Sequence, residues 1–241
     1  MRISAVIPAF NESESIAKVI GDIDRNLVQS VIVVDNGSTD NTGDIAESVG
    51  AMVVRENRRG YGWACLAGIA AEPDADIFVF LDGDYSDFPE AISELVQPIV
   101  QGRADMVIGS RVRGGAEKGS LSLPQRFGNY FASKLLNLIF QTNYTDLGPF
   151  RAIKSSSLKK LSMKDKKYGW TVEMQIKAAF MGLRAEEIPV SYRKRHGGKS
   201  KVSGTLRGVT LAAAYILYYL FRAYFYSLFA NRKENLDAEG S

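Results

Sequence analysis

The sequence of 241 residues contains very little cysteine and histidine. Its single cysteine, Cys65, excludes a disulfide within the chain and suits a reducing compartment. Its single histidine, His196, excludes zinc sites built on several histidines and argues against a Ser-His-Asp hydrolase. With 46% hydrophobic and 24% charged residues, the composition excludes collagen-like, disordered and disulfide-scaffold proteins, and the length favours one large globular domain.

Two nucleotide-binding motifs and a secretion signal are also missing. The sequence has no GxxxxGK[ST] loop, and no GxGxxG follows the first predicted strand, which argues against P-loop nucleotidases and dinucleotide-binding enzymes. The opening apolar stretch is too short for a signal peptide, because it runs directly into Asn11 and Glu12.

Charge is close to balanced over the whole chain, at +3, but it is distributed unevenly. Residues 1–110 carry 7 basic and 18 acidic residues, whereas residues 111–241 carry 23 and 9. An acidic half suits metal binding, and a basic half suits phosphate, nucleic acid or an anionic membrane. The alternative is a solvated surface whose charges happen to be unevenly placed.

Short apolar runs alternate with helical patterns in the first 110 residues. The runs are continuous, which is typical of strands covered on both faces, and so predicts an α/β fold with a mostly parallel sheet. We predict strands over residues 3–7, 30–34, 51–55, 77–81 and 106–108, and helices over residues 13–23, 62–71 and 89–100. Ligands of such sheets bind at the carboxyl ends of the strands. The polar residues found there are Asn11, Glu12, Asp35, Asn36, Asp82 and Asp84.

The sharpest local signal is Asp82-Gly83-Asp84, directly after an apolar strand. A carboxylate at that place costs desolvation energy unless it is paired or bound to a metal, and Gly83 would let both carboxylates approach one cation. Oxygen ligands of this kind favour Mg²⁺ or Mn²⁺. From the residues alone an ordinary Asp-Gly turn is an equal alternative.

Four motifs in order resemble those of the family 2 inverting glycosyltransferases, which have the GT-A fold, a nucleotide-sugar-binding α/β sandwich. They are Pro8-Ala9-Phe10-Asn11-Glu12, Val34-Asp35-Asn36-Gly37-Ser38-Thr39-Asp40, Asp82-Gly83-Asp84 and Gly109-Ser110-Arg111. Three more resemble the polyprenyl-phosphate mannose or glucose synthases of that family. These are Asn57-Arg58-Arg59-Gly60-Tyr61-Gly62, Asp146-Leu147-Gly148-Pro149-Phe150-Arg151 and Gly197-Gly198-Lys199-Ser200-Lys201. The resemblance covers about residues 1–205.

The resemblance implies a nucleotide-sugar site and a metal site. The implied nucleotide-sugar residues are Pro8, Phe10, Glu12, Asp35, Asp82 and Gly83. Asp82 and Asp84 match the DxD motif that binds nucleotide and Mg²⁺ or Mn²⁺, with Ser86 or the adjacent Asp87 as a further ligand. Asn36 departs from the pattern, because the family usually has a second acid at that position.

The basic half contains the predicted acceptor site. Residues 193–201 hold five cations around two glycines, and such a loop could close over two phosphate groups. A nucleic-acid patch is the alternative for this run, and exposed arginines are the alternative for Arg111 and Arg126. The predicted phosphate-binding or acceptor-binding residues are Arg111, Arg126, Arg195, Ser200 and Lys201.

Inverting transfer normally uses a base that deprotonates the acceptor. The candidates are Glu173, at the start of a predicted helix, and Asp146; with Asp84 and Arg111 they complete the predicted catalytic set. A phosphate acceptor is already ionised, and then Asp146 and Glu173 would orient sugar hydroxyls or the basic loop. An acid favoured by the helix dipole is the structural alternative for Glu173.

Residues 206–233 predict a membrane-associated segment between the catalytic domain, 1–205, and a polar tail, 234–241. Residues 208–221 form an uncharged run of 14, shorter than the ~20 that a membrane span needs. We expect one or two helices lying in the interface, with a span or a buried oligomer helix as alternatives.

The sequence therefore predicts a metal-dependent hexosyltransferase at the cytoplasmic face of a membrane. Its donor would be a nucleotide diphosphate sugar and its acceptor a polyprenyl phosphate, without a nucleic-acid partner. The alternatives are a transferase for a soluble phosphorylated acceptor and a catalytically silent nucleotide-sugar-binding scaffold. GDP-mannose and UDP-glucose both remain open as donors.

Overall fold

The computed structural model describes residues 1–197, together with Tyr218 and Phe221. Within residues 1–197 the strands are β1 Ile3–Ala9, β2 Ser30–Asp35, β3 Met52–Arg55, β4 Ile77–Phe80, β5 Met106–Ser110, β6 Arg151–Lys154 and β7 Ala185–Pro189. The helices of the same range are α1 Ile16–Gly21, α2 Thr42–Ser48, α3 Tyr61–Ala71, α4 Ile92–Val100, α5 Arg111–Gly114, α6 Leu123–Phe140, α7 Ser155–Leu161 and α8 Trp170–Phe180. A 3₁₀ turn over Pro89–Ala91 leads into α4. Apart from Tyr218 and Phe221, the predicted segment 206–233 lies outside the described residues, as do Ser200 and Lys201.

The strands form one sheet in the order β3-β2-β1-β4-β6-β5-β7. All neighbours are parallel except β6, which runs antiparallel to both β4 and β5. The register sets Ala9 beside Asp35 and Asp35 beside Arg55, so the loops after β1, β2 and β3 start at one edge. The loops after β4 and β5 leave from the same edge, which places the predicted site residues near one another.

Apolar residues cover both faces of the sheet, as the continuous hydrophobic runs predict. On one face α1, α2 and α4 pack against the strands, through residues such as Ile16, Ala46 and Leu95. On the other face α3, α6, α7 and α8 do so, through residues such as Cys65 and Leu136. The result is a three-layer α/β/α arrangement.

The five strands predicted before residue 110 are confirmed, with differences of one or two residues at their ends. The helix predicted from residue 13 begins only at Ile16, because the Glu12 carbonyl accepts hydrogen bonds from the Ser15 and Ile16 amides in a preceding turn. Strands β6 and β7 were not predicted. Among the described residues, no helix is both long enough and apolar enough to cross a bilayer.

Candidate active site

The loop after β4, residues 81–87, carries three carboxylates, and we call it the acidic loop. Asp82 and Asp84 flank Gly83, and Asp87 ends the loop. The Ser86 amide donates to Asp84 Oδ1 at 2.9 Å, and the Asp82 amide donates to Asp87 Oδ2 at 3.3 Å. The chain turns sharply between them, because the φ angle of Tyr85 is 63°, in the left-handed region. The turn places the three acidic residues in one short loop at the end of the middle strand.

The crowding of these carboxylates changes their acidity. Burial, followed by the charges of Asp84 and Asp87, raises the pKa of Asp82 well above its ordinary value. Burial, followed by the charge of Asp84, raises the pKa of Asp87 to about 7. In addition, Asp87 Oδ1 is buried without a hydrogen-bond partner in the described part of the chain. An acidic group of this kind favours a bound cation.

The acidic loop could hold a divalent metal only if ligands from the substrate complete its coordination. No three His, Cys, Asp or Glu side chains converge into a metal-binding group within residues 1–197. The carboxylates of Asp82 and Asp84, with the unpartnered Asp87 oxygen nearby, nevertheless fit Mg²⁺ or Mn²⁺, provided that substrate phosphates complete the coordination.

We expect Asp87→Asn to stabilise the metal-free protein at high pH. Because the pKa rises from 3.8 to about 7, the folded protein keeps a proton between these values that the unfolded chain has lost. Wild-type stability therefore falls as the pH rises through this window. The variant should be more stable by about 1 kcal/mol or more at alkaline pH, a few degrees in Tm.

The test is thermal unfolding in chelator across this pH range, with the exposed Asp44→Asn as the control. The Tm difference between the wild type and Asp87→Asn should shrink towards zero below pH 3.8, where Asp87 is protonated in both the folded and the unfolded chain. An Asp87→Asn variant that is equally destabilised at every pH would contradict the prediction.

A basic segment, residues 193–197, lies against the acidic loop, and we call it the basic strap. The Arg193 amide donates to the Ser86 carbonyl at 3.0 Å, and the His196 amide donates to the Asp84 carbonyl at 3.1 Å. The Arg193 guanidinium lies 3.4 Å from the centroid of the Tyr85 ring. Backbone and side-chain contacts together therefore fix the strap to the loop.

Arg195 connects the strap to the predicted nucleotide and metal residues. One of its terminal nitrogens lies 2.8 Å from Glu12 Oε1 and 3.1 Å from Asp84 Oδ2. Its Nε is buried and has no hydrogen-bond partner in the described part of the chain. The structure thus brings together Glu12, Asp84 and Arg195, which are far apart in the sequence.

A buried ion pair stands beside the acidic loop. The Arg111 guanidinium binds Asp146 through two bonds, from Nε at 2.8 Å and from a terminal nitrogen at 2.7 Å. Burial acts to lower the pKa of Arg111, but the hydrogen bonds and charge of Asp146 outweigh it and the net direction is upward. Arg111 also lies over the Tyr192 ring, at 5.0 Å from its centroid. Its charge lowers the pKa of both Asp82 and Asp87, so the pair faces the acidic loop.

The backbone around Asp146 is held from three sides. Glu187 accepts hydrogen bonds from the Thr145 and Asp146 amides. Asn129, on α6, donates to the Thr145 carbonyl at 3.0 Å and accepts from the Leu147 amide at 2.8 Å. Gln175, on α8, donates to the Asp146 carbonyl at 3.1 Å. Such support preorganises the carboxylate and, through it, Arg111.

Asn36 connects the loop after β2 to the loop after β3. Its amide nitrogen donates to the Glu56 and Arg58 carbonyls at 2.9 and 2.8 Å, and its oxygen accepts from the Gly60 amide at 2.8 Å. The departure from the family pattern at this position therefore has a structural purpose, because an aspartate could not donate these bonds.

The remaining predicted nucleotide residues lie along the same edge. Asp35 Oδ1 accepts a hydrogen bond from the Ser38 amide at 2.8 Å. The Arg59 guanidinium lies 3.8 Å from the centroid of the Phe10 ring. Pro8 is in β1, and the Gly83 carbonyl accepts from Ser15 Oγ at 2.8 Å.

Glu173, one of the two candidate bases, is buried and engaged by its neighbours. Its carboxylate accepts hydrogen bonds from the Lys164 amide at 3.0 Å and the Asp165 amide at 2.7 Å. Lys177 Nζ lies 2.8 Å from its Oε1. These contacts favour a role in holding residues 164–169 over a role as the base.

Residues 164–169 in turn pack closely on the start of α3. A Cβ at Gly60 would lie 2.1 Å from the Lys166 carbonyl oxygen, and one at Gly62 would lie 2.2 Å from the Asp165 carbonyl oxygen. Only glycine permits this approach. Glu173 therefore supports the nucleotide side of the site from a distance.

We expect Glu173→Gln to cost about 1–3 kcal/mol of stability, because its amide group would face a backbone donor that now binds a carboxylate oxygen. The pH dependence of kcat should stay as in the wild type. Urea unfolding and a pH–rate profile measure the two effects. Lys177→Met removes the partly exposed ion pair and the hydrogen bond from Lys177 Nζ to the Ser162 carbonyl, and it should cost about 1 kcal/mol or less. Loss of the acidic limb of the profile, where a base becomes protonated, in a stable variant would instead identify Glu173 as the base.

The structure gathers most of the predicted site residues at one edge, but Glu173, Arg126, Ser200 and Lys201 lie elsewhere or outside the described residues. Arg126 occupies an exposed position in α6. Ser200 and Lys201 fall outside the described residues. The sequence did not predict roles for Tyr192 and Glu187, which contact Arg111 and the Asp146 backbone. Glu187 lies within the unpredicted strand β7 and Tyr192 follows it, and neither residue belongs to a motif that signals such a role.

The chain is similar in sequence to a family model and to several known proteins. The family model described as "Glycosyl transferase family 2" matches residues 4–162. A glycosyltransferase of Mycobacterium tuberculosis, named as uncharacterized, is 36% identical over 215 residues, which cover 87% of this chain and 94% of that protein. The undecaprenyl-phosphate mannosyltransferase of Micrococcus luteus is 31% identical over 221 residues, covering 86% and 90% of the two chains.

Among solved structures, glucosyl-3-phosphoglycerate synthase from Mycobacterium tuberculosis superposes with a TM-score of 0.71 at 26% identity. The match covers 90% of this chain and 78% of that one. That crystal contains Mn²⁺, uridine diphosphate and glucosyl-3-phosphoglycerate.

Proposed function

The chain belongs to glycosyl transferase family 2, and we propose that it moves a hexose from a nucleotide diphosphate sugar to a polyprenyl phosphate at a membrane surface. It is an enzyme with the GT-A-like α/β fold of that family. The lipid acceptor is supported by the similarity to the mannosyltransferase of Micrococcus luteus, which covers most of both chains.

The observation that carries the proposal is the placement of acids and cations beside one another at the acidic loop. Asp84 and Glu12 share Arg195 as a partner, and Arg111 lies close enough to Asp82 for its charge to lower the pKa of that carboxyl. Neighbouring acids and arginines of this kind suit a donor diphosphate with its cation together with an acceptor phosphate.

In the proposed reaction an oxygen of the acceptor phosphate attacks the anomeric carbon of the sugar. The bond from that carbon to the diphosphate oxygen breaks, the nucleoside diphosphate leaves with the electron pair, and the configuration inverts. Arg111, held by Asp146, orients the attacking phosphate. Because that phosphate is already ionised, the step needs no strong base.

The donor side is served by residues of the acidic loop and the basic strap. Asp82 and Asp84 would hold Mg²⁺ or Mn²⁺, which supplies positive charge to the diphosphate leaving group when bound. Arg195, which now pairs with Glu12 and Asp84, supplies a guanidinium to the same region. The cytoplasmic face of the membrane and the membrane association of residues 206–233 belong to the same proposal.

A second candidate is transfer to a soluble phosphorylated acceptor. It is favoured by the superposition on glucosyl-3-phosphoglycerate synthase, whose crystal contains a phosphorylated three-carbon acid bearing the transferred glucose. The same arginines would serve either acceptor, because both present a phosphate group.

The test uses the purified full chain with Mn²⁺ and either radiolabelled GDP-mannose or UDP-glucose. Undecaprenyl phosphate in detergent and 3-phosphoglycerate are offered in separate reactions. We expect the label to enter an organic-soluble product only with the lipid phosphate. Transfer to phosphoglycerate alone would establish the second candidate, and no sugar release from either donor would leave the silent scaffold. Thermal unfolding measured with GDP and with UDP identifies the nucleotide of the donor independently, because the nucleotide that binds more tightly raises the Tm more.

A further inference from the structure

The outer face of α6 is apolar and exposed. Five large side chains on this helix have between 50% and 78% of their surface accessible: Leu123, Phe127, Tyr130, Phe131 and Leu138. Their spacing follows the helical repeat, so they lie on one face of the 18-residue helix. A cluster of this size on a surface helix marks an interaction site more often than chance exposure.

The charges on α6 indicate the chemistry of the partner. The helix contains Arg126 and Lys134, both exposed, and no aspartate or glutamate. Aromatic rings, leucines and cations together are typical of helices that lie in the headgroup region of an anionic bilayer. A partner that brought positive charge to this face would be repelled.

The inner face of the same helix reaches the candidate active site. Asn129 binds the backbone on both sides of Asp146, which holds Arg111. A surface that meets the outer face of α6 is therefore separated from the proposed acceptor site by a single helix.

We propose that the outer face of α6 docks the catalytic domain onto an anionic lipid bilayer. The proposal deepens the proposed function, because a polyprenyl phosphate lies in such a bilayer. Docking through α6 would present the Arg111 side of the site to the membrane. It is independent of residues 206–233, which are a separate predicted membrane segment.

Two other occupants of the same face are outcomes of the test. The apolar residues 208–230 of this chain could cover it, or a second copy could do so. The lack of acids on α6 gives neither an advantage, because residues 208–230 carry Arg222 as their only charged residue and a second copy would place Arg126 and Lys134 near like charges.

The experiment uses the full chain with Phe131→Cys labelled by an environment-sensitive NBD fluorophore. The label is selective, because Cys65 is fully buried; unmodified protein treated with the reagent controls for this. Phe180→Cys is the matched control, since Phe180 is 52% exposed and lies on a different helix. Vesicles of phosphatidylcholine are added, with and without phosphatidylglycerol.

We expect the emission at position 131 to shift to shorter wavelength with phosphatidylglycerol vesicles and to be quenched by nitroxide-labelled lipids. Position 180 should not respond. A spectrum already blue-shifted without vesicles, and unchanged by them, would assign the face to residues 208–230. A blue shift that depends on protein concentration would assign it to a second copy. Either result would overturn the proposal.

A second measurement uses Phe127→Glu/Phe131→Glu, with Phe180→Glu as the control. The double variant should lower the vesicle partition coefficient by about tenfold or more, and the control should change it by less than about twofold. Equal partitioning of both would contradict the docking surface. The double variant should keep its activity on detergent-dispersed acceptor. The activity assay therefore tests the proposed lipid acceptor, and the partition measurement tests the docking surface separately.

Discussion

Replacing Asp84 with alanine is expected to reduce sugar transfer by about three orders of magnitude while the protein stays folded. In the proposed mechanism this carboxylate holds the cation that offsets the charge of the leaving diphosphate. Removing a preorganised charge stabiliser of this kind typically costs several kcal/mol of transition-state stabilisation.

The fold should tolerate the change, because Asp84 is partly exposed and Arg195 keeps its shorter contact to Glu12 at 2.8 Å. The measurement is initial rate with purified protein, together with thermal unfolding with and without Mn²⁺ plus nucleotide diphosphate. The variant should lose the ligand-dependent rise in Tm. Glu47→Ala, which removes an exposed acid of α2, is the control. Undiminished turnover in Asp84→Ala would sink the assignment of the acidic loop.

Replacing Asp146 with alanine is expected to have the largest effect on stability. Its carboxylate is fully buried and the Arg111 side chain is only 11% exposed, so the substitution leaves a guanidinium without its partner. Breaking such a pair from one side typically costs about 3–5 kcal/mol, a large part of the stability of a domain. Transfer activity should fall as well, because Arg111 loses its orientation.

Urea unfolding measures the loss, and the exposed pair between Arg103 and Glu186 supplies the control. Glu186→Ala should cost less than about 1 kcal/mol. The double variant Arg111→Met/Asp146→Leu should recover part of the stability without recovering activity, since both buried charges are removed together. An Asp146→Ala variant as stable as the control would show that the pair does not hold this loop.

The part of the fold that could be predicted is the part whose strands are apolar on both faces. Strands β1 to β5 and the edge at which Asp35, Asp82 and Asp84 lie follow from continuous hydrophobic runs ending in polar residues. Strand β6 has the sequence RAIK, with a buried arginine, and β7 has the sequence AEEIP. Neither has the composition of a strand, and only their neighbours in the sheet make them so.

Buried polar partners explain what could not be predicted of the site. Burial lowers the pKa of Arg151 to about 10, and its guanidinium donates to the Gly148 and Thr171 carbonyls. No sequence pattern predicts partners of this kind, because every residue has a backbone carbonyl. The same holds for Glu173, whose backbone donors belong to a loop without a motif of its own.

The position of β6 also has a consequence for the synthesis of the chain. Strand β5 ends at Ser110, but it does not pair with β4; β6, which begins at Arg151, lies between them. A nascent chain that has emerged only to the boundary between its acidic and basic halves therefore cannot complete the sheet. It would leave one edge of β4 open and β5 without a neighbour. The boundary near residue 110 between the acidic and the basic half is therefore not a domain boundary, and the two halves could not fold as separate pieces.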